Sequence, residues 1–260
     1  FADAARDFDA IAEAADAAMA LAVPALCPPD AAYLVLDGAP LPAPRLVTLP
    51  EGSGPLAEDG AALPAQDIAG GVLVELPERP GLSARALRPA ATAPAPAPVD
   101  GATATRTKGG GAVLANAHIR VEIGPHGMLT SVRDRETGRE VLKEGALGNK
   151  LELFEDRPVS WDAWDIDIFF EDRGEVISAL NALEVTETGP LRATVEIVRI
   201  FRKSRLVQRI SIGRHSARID FDTEVDWHET HLLLKTAFPV SVRAARAEFG
   251  SDVLEPPRAA

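Results

Sequence analysis

One stretch constrains the fold more than any other. In residues 217–227, Ile219, Phe221, Thr223, Val225 and Trp227 alternate with Arg218, Asp220, Asp222, Glu224 and Asp226. Successive side chains of a strand point to opposite faces. A two-residue period held over this length therefore predicts a strand with one buried and one wet face, the habit of an antiparallel sheet. Ile119, Val121 and Ile123 alternate with Arg120 and Glu122 in the same way, and Leu191, Ala193, Val195 and Ile197 alternate with Arg192, Thr194 and Glu196. Gly124-Pro125-His126-Gly127 and Arg135-Glu136-Thr137-Gly138 read as turns. Strands that follow turns without intervening helices predict a large antiparallel β-sandwich over residues 113–260.

The first part of the chain is built differently. Fifteen of the 21 prolines lie in residues 1–100, which carry 5 Lys/Arg against 14 Asp/Glu; residues 101–260 carry 22 against 25. This split predicts at least two structural units. Phe1, Ala5, Phe8, Ala12, Ala15, Met19 and Ala22 recur at three- and four-residue spacing, which predicts a helix over residues 1–24 that Pro24 ends. Its alanine-rich stripe needs a partner helix, and none is read in the chain, so the partner is expected upstream. Residues 30–88 predict a small β domain, with strands at Tyr33-Leu34-Val35-Leu36 and Val72-Leu73-Val74-Glu75-Leu76. Residues 89–112, with Pro94, Pro96 and Pro98 among alanines, read as a linker. The class is thus mainly β: an N-terminal helix, a small β domain, then the sandwich. No internal repeat is read.

Charge and composition exclude several functions. A formal net charge of -12 repels a phosphate backbone, so nucleic acid is not an expected partner. No apolar run approaches the ~20 residues a membrane-spanning helix needs, so no membrane partner is expected. Asp3, Asp7 and Asp9 stand where a signal peptide carries positive charge, and the expected compartment is cytoplasmic. A single cysteine, Cys27, excludes an internal disulfide and a multi-cysteine metal site. Gly109-Gly110-Gly111 lacks the Lys-Ser/Thr that a phosphate-binding loop requires.

The densest chemical feature is Trp161-Asp162-Ala163-Trp164-Asp165-Ile166-Asp167, preceded by Phe154-Glu155-Asp156-Arg157-Pro158. Aromatic faces bind the C–H surfaces of sugars while carboxylates accept their hydroxyl hydrogen bonds, which makes Trp161, Asp162, Trp164 and Asp165 candidate substrate-binding residues. The same residues also fit a loop packed at a domain interface, or a carboxylate pair for glycoside chemistry. His228-Glu229-Thr230-His231 resembles a zinc-helix motif with one residue missing, on what reads as a strand end. His118, His126 and His215 read as solvated turn residues, and Ser204, Ser211 and Ser216 lie in no nucleophile-elbow context. Arg199, Arg202, Lys203, Arg205, Arg209 and Arg214 predict cross-strand ion pairs with the acidic strand nearby, or contacts to an anion or polyol.

From Asn116 onward the sequence resembles the C-terminal β domain of glycoside hydrolase family 38 α-mannosidases. Asn116-Ala117-His118-Ile119, Gly138-Arg139-Glu140-Val141-Leu142, Gly148-Asn149 and Leu151-Glu152-Leu153-Phe154-Glu155-Asp156-Arg157-Pro158 carry the resemblance. The 161–166 run, Gly189-Pro190-Leu191-Arg192-Ala193, Phe221-Asp222-Thr223-Glu224-Val225-Asp226-Trp227-His228-Glu229 and Leu233-Leu234-Lys235-Thr236-Ala237-Phe238-Pro239-Val240 continue it in the family's order. Residues 1–22 resemble a helix of the family's middle region, and residues 30–88 its connecting β domain.

The resemblance implies a galactose-mutarotase-like supersandwich, cut short in this chain, and a retaining, zinc-dependent exo-α-mannosidase as the full-length enzyme. An aspartate nucleophile that also ligates zinc belongs to the family's catalytic domain, and no position here matches it. No catalytic residue and no metal ligand is expected in this chain, and zinc is expected only in the full-length enzyme. The implied partners are α-mannosides or oligomannose, the protein's own N-terminal catalytic domain, and a homo-oligomeric copy. The implied role is a non-catalytic region, inactive alone, that frames the substrate site. An independent carbohydrate-binding module and a self-contained glycosidase using Asp162 and Asp165 are the competing readings.

Overall fold

The structure, a computed structural model, describes residues 2–91, 100–161, 164–242, 247–249 and 252–254. The chain divides into two compact units, Phe1–Val99 and Asp100–Ala260. Each has a hydrophobic core of its own.

The first unit opens with helix α1 (Ala2–Leu26), which runs through Pro24 instead of stopping before it. Proline removes one backbone donor, but only the final turn lies beyond it, and the Cys27 N–H closes that turn on the Val23 carbonyl at 3.0 Å. Phe8, Ile11, Met19 and Leu21 are exposed on this helix. Seven strands follow: β1 (Tyr33–Asp37), β2 (Ala43–Pro50), β3 (Leu56–Glu58), β4 (Ala61–Ala62), β5 (Ala65–Ile68), β6 (Gly71–Arg79) and β7 (Ser83–Pro89). They form two antiparallel sheets, ordered β1-β7-β3-β4 and β2-β6-β5. Leu49, Leu56, Leu63, Val74, Leu76 and Leu87 fill the core of the unit. Within it, Arg85 grips the buried Glu58 carboxylate through Nε at 2.9 Å and a second bond from Nη2.

The second unit begins with β8 (Thr103–Arg106), β9 (Ala112–Ala115), β10 (Ile119–Ile123) and β11 (Leu129–Asp134), one antiparallel sheet in sequence order. The expected linker over 89–112 is thereby shortened. β8 lies inside it, and Ala102 and Ala104 are buried, because alternating small residues let that strand pair with β9 and pack inward. Residues 92–99, with the three alternating prolines, lie outside the described residues.

A second sheet consists of β14 (Ala182–Thr188), β15 (Arg192–Phe201), β16 (Ser204–Gly213) and β17 (Asp220–Asp226), in that order. Leu114, Val121, Ile123 and Leu129 of the first sheet interlock with Ala193, Val195, Ile197, Ile210 and Ile212 of the second to make the main core, the sandwich that the alternation predicted. Asn116 ties the two together: its side-chain amide donates to the carbonyls of Gly213 and Ser216, while its Oδ1 accepts the N–H groups of His118 and Ile119.

The strand read most cleanly from sequence is placed differently. β17 is the last strand of its sheet, and its expected buried face is covered at its two ends, by the main core at Ile219 and Phe221 and by Phe201 at Trp227, but not in the middle. Phe221 packs on the core, whereas Thr223 is exposed and Val225 keeps 40 % of its surface in solvent. Alternation reports which residues share a face; it does not report whether a neighbour covers that face. Arg199 also departs from the expected ion pairing. It is 1 % exposed and donates to the carbonyls of Ala179 (2.7 Å) and His126 (2.5 Å) instead of to a carboxylate. Arg209 does form the expected cross-strand pairs, with Glu196, Asp222 and Glu224.

A third sheet, β13 (Gly174–Val176), β12 (Lys150–Glu155) and β18 (Leu232–Ala237), surrounds a smaller core of Leu151, Leu153, Ile177, Phe201 and Leu206. A short 3₁₀ helix, Ile168–Asp172, connects β12 to β13. A last pair, β19 (Ala247–Phe249) and β20 (Asp252–Leu254), is antiparallel. No helix among the described residues is long and apolar enough to cross a membrane.

Candidate carbohydrate site

The candidate site lies where β12 ends and the chain loops out before returning as β13. Trp161 adopts a positive φ of 60°, and its carbonyl accepts the N–H groups of Trp164 (2.7 Å) and Asp165 (2.9 Å), which makes a tight turn. Asp167 closes the loop from below by accepting the Val159 N–H at 2.8 Å. Both indoles face solvent: Trp161 is 75 % and Trp164 90 % exposed. Asp165 is exposed on the same loop, and Asp162 lies outside the described residues. The structure therefore keeps Trp161, Trp164 and Asp165 on one protruding turn.

The segments on either side of that turn enclose a cleft of about 230 Å³, lined by Glu155, Arg157, Asp167, Phe169, Phe170 and Arg173 among others. Glu155 is its organising residue. Arg157 and Arg173 reach the two carboxylate oxygens of Glu155 at 2.7 and 2.6 Å. The Arg173 hydrogen bond, followed by the charges of both guanidinia, holds the Glu155 carboxyl below its ordinary pKa and keeps it ionised. A second recess of about 350 Å³ shares Glu155, Arg157 and Arg173 and extends to Glu175, Arg202 and His231. Arg202 pairs with Glu175 at 2.5 Å.

The walls are fixed by packing. The Phe154 and Phe170 rings meet edge to face, with centroids 5.2 Å apart. The Lys235 ammonium sits 4.4 Å from the Phe170 centroid and 5.7 Å from that of Phe154. Gly174 makes room for this cluster, since a Cβ there would stand 2.5 Å from a Phe154 ring carbon. The Glu155 N–H bonds to the Arg173 carbonyl (3.0 Å) and the Asp156 N–H to the His231 carbonyl (2.9 Å), so both flanks are tied to β12.

Sequence reasoning named the loop but not the cleft. The overlooked signal is a four-residue repeat. Phe154-Glu155-Asp156-Arg157 recurs as Phe170-Glu171-Asp172-Arg173. The two copies face each other, phenylalanine on phenylalanine, with both arginines on one glutamate.

The histidines stand apart from this arrangement. His228 pairs with Asp226 at 2.9 Å, and Glu229 accepts the Lys203 N–H and the Ser204 hydroxyl, bracing the β15–β16 turn. His231 has a positive φ of 56° and lines the second recess. Among the described residues, no three His, Cys, Asp or Glu side chains are grouped so as to hold a metal ion. Among the described residues the donor set does not fit zinc.

Comparison with known proteins bears on the same unit. Residues 114–253 match the model of the glycosyl hydrolases family 38 C-terminal domain. The chain is 40% identical over 142 residues to alpha-mannosidase 2C1 of Homo sapiens, a match covering 54% of this chain and 14% of that protein. It is 35% identical over 147 residues to alpha-mannosidase G of Dictyostelium discoideum, covering 54% of this chain and 13% of that protein. Alpha-mannosidase of Saccharomyces cerevisiae is 27% identical over 147 residues. The matched region thus spans about one seventh of the length of these curated relatives.

Proposed function

Because the chain belongs to glycosyl hydrolases family 38 through its C-terminal domain, we propose that it is the non-catalytic C-terminal region of a retaining α-mannosidase and serves to frame the mannoside site. The observation that carries this reading is where the similarity falls. The family match lies in the sandwich unit and includes the 154–173 segment, where aromatic rings and carboxylates are densest. The chemistry of bond cleavage, and the zinc ion that would orient the sugar hydroxyls, belong in this reading to a catalytic domain elsewhere in the protein. This chain contributes a rigid sheet edge and a protruding turn that presents two indoles and Asp165 to a sugar.

The direct test is hydrolysis of a chromogenic α-mannoside by this chain, with and without added zinc, beside a chain extended upstream by a whole catalytic domain. Activity in the extended chain alone supports the reading. Activity in the 260-residue chain overturns it and turns attention to the carboxylates of the 161–167 loop. The framing role has its own measurement: in the extended enzyme, Trp164→Ala raises KM or lowers kcat. Unchanged kcat and KM together remove the loop from the substrate site.

A further inference from the structure

The two recesses adjoin at Glu155, Arg157 and Arg173, and taken together as one trough their lining is specific about what it can hold. The guanidinia of Arg157, Arg173 and Arg202 are already matched by the Glu155 and Glu175 carboxylates, while Asp167 and Asp172 stand at the far end. Carboxylates thus outnumber guanidinia along the lining, which disfavours a phosphate or a carboxylate ligand. Donors and acceptors alternate at close range instead. A hydroxyl group, which donates and accepts at once, satisfies such a lining in a way that a simple ion does not.

The apolar component fits the same ligand. Phe169, 68 % exposed, adds an aromatic surface beside the polar row, as a pyranose with one C–H face requires. The two recesses are neighbours that share Glu155, Arg157 and Arg173, and their combined space lies within the ~300–1,000 Å³ typical of small-ligand sites. The Phe154–Phe170–Lys235 cluster and the backbone bonds to Arg173 and His231 hold the walls before any ligand arrives, which lowers the ordering cost of binding.

We propose that the trough between the two Phe-Glu-Asp-Arg segments is a saccharide-binding site for at least two linked pyranose rings, with Arg173 and Glu155 hydrogen-bonding the ring hydroxyls and Phe169 lying against a sugar face. That the saccharide is an α-linked mannoside rests on the α-mannosidase reading above. The sequence-derived candidates Trp161 and Trp164 lie on the loop that joins the two Phe-Glu-Asp-Arg segments.

The test is calorimetric or NMR titration of the 260-residue chain with methyl α-mannoside and with an α-linked mannobiose. The expected result is saturable binding, tighter for the disaccharide. Phe169→Ala and Arg173→Met should each weaken it by about tenfold or more, the factor expected for loss of a stacking face or a charge-assisted hydrogen bond. Both side chains are largely exposed, so circular dichroism should show the fold unchanged in each variant. Absence of saturable binding by either saccharide, or binding indifferent to both substitutions, overturns the proposal. The hydrolysis assay on the extended chain reads the α-mannosidase assignment by itself, so the two readings stand or fall separately.

Discussion

Arg199 places a charge where a strand normally places an aliphatic side chain. Burial pushes its pKa down, yet an arginine stays protonated at neutral pH. Its partners are carbonyls from two different loops, at Ala179 and His126, so one side chain pins the β10–β11 turn and the segment before β14 to the C-terminal part of β15. Arg199→Ala leaves those carbonyls without their donor and opens a cavity, and should cost roughly 2–5 kcal/mol of unfolding free energy in urea titration. Glu140 is the counterpart on the acidic side. Burial opposes its ionisation, but the Ser131 hydroxyl and the N–H groups of Val132, Leu142 and Val141 outweigh burial and hold the carboxyl below its ordinary value of 4.5. A depressed folded-state pKa means the stabilisation is fully present above 4.5 and is lost as pH falls through the lower folded value. Thermal melts across that acid range should show Glu140→Gln flattening the decline seen in the parent chain. Neither role was legible in the sequence. Arg199 stands among other basic residues that suggest ion pairs and Glu140 follows a turn, where a charged side chain reads as solvent-facing by default; only the assembled sheets reveal the carbonyls or N–H groups around each.

At the scale of elements, alternation located β10 and β15, because each buries one face or both against the opposing sheet, and the Gly/Pro run located the turn between β10 and β11. Alternation over-read β17, whose pattern is equally clean but whose cover is partial. Helical periodicity located α1 and misjudged only its end, since a proline in the last turn forfeits a single bond. The turns offer a controlled comparison. Gly127 and Gly138 have nearly equal positive φ, 70° and 71°. A Cβ on Gly127 would stand 2.7 Å from an Arg199 guanidinium nitrogen, whereas one on Gly138 meets nothing within 4 Å. Gly138→Ala should therefore cost only the left-handed backbone penalty of about 1–2 kcal/mol. Gly127→Ala should cost clearly more, because it also displaces the buried arginine; denaturant midpoints of the two variants check the order. The candidate site was half legible for a related reason. Tryptophan-rich turns stand out in a chain with few aromatics, while a cleft made by two strands' ends requires knowing which ends meet.

For the whole molecule, the first unit has one core and the second has two of its own, which implies two separable folding units. A polypeptide beginning at Asp100 should keep a cooperative thermal transition and the sandwich's circular dichroism signature; a molten, non-cooperative melt would show that the second unit depends on the first. Among the described residues β17 closes its sheet, leaving one edge of backbone donors and acceptors without a neighbouring strand. Such an edge is a template for a second chain. Asp220, Asp222, Glu224 and Asp226 line it, and the flanking arginines Arg218 and Arg209 and His228 neutralise them only in part. That acidic row acts as a gatekeeper: two copies approaching edge to edge bring like charges together. The solution behaviour of the protein should therefore be governed by ionic strength, with light scattering rising as salt screens the row, and the same rise obtained at low salt when Asp222 and Glu224 are replaced by their amides.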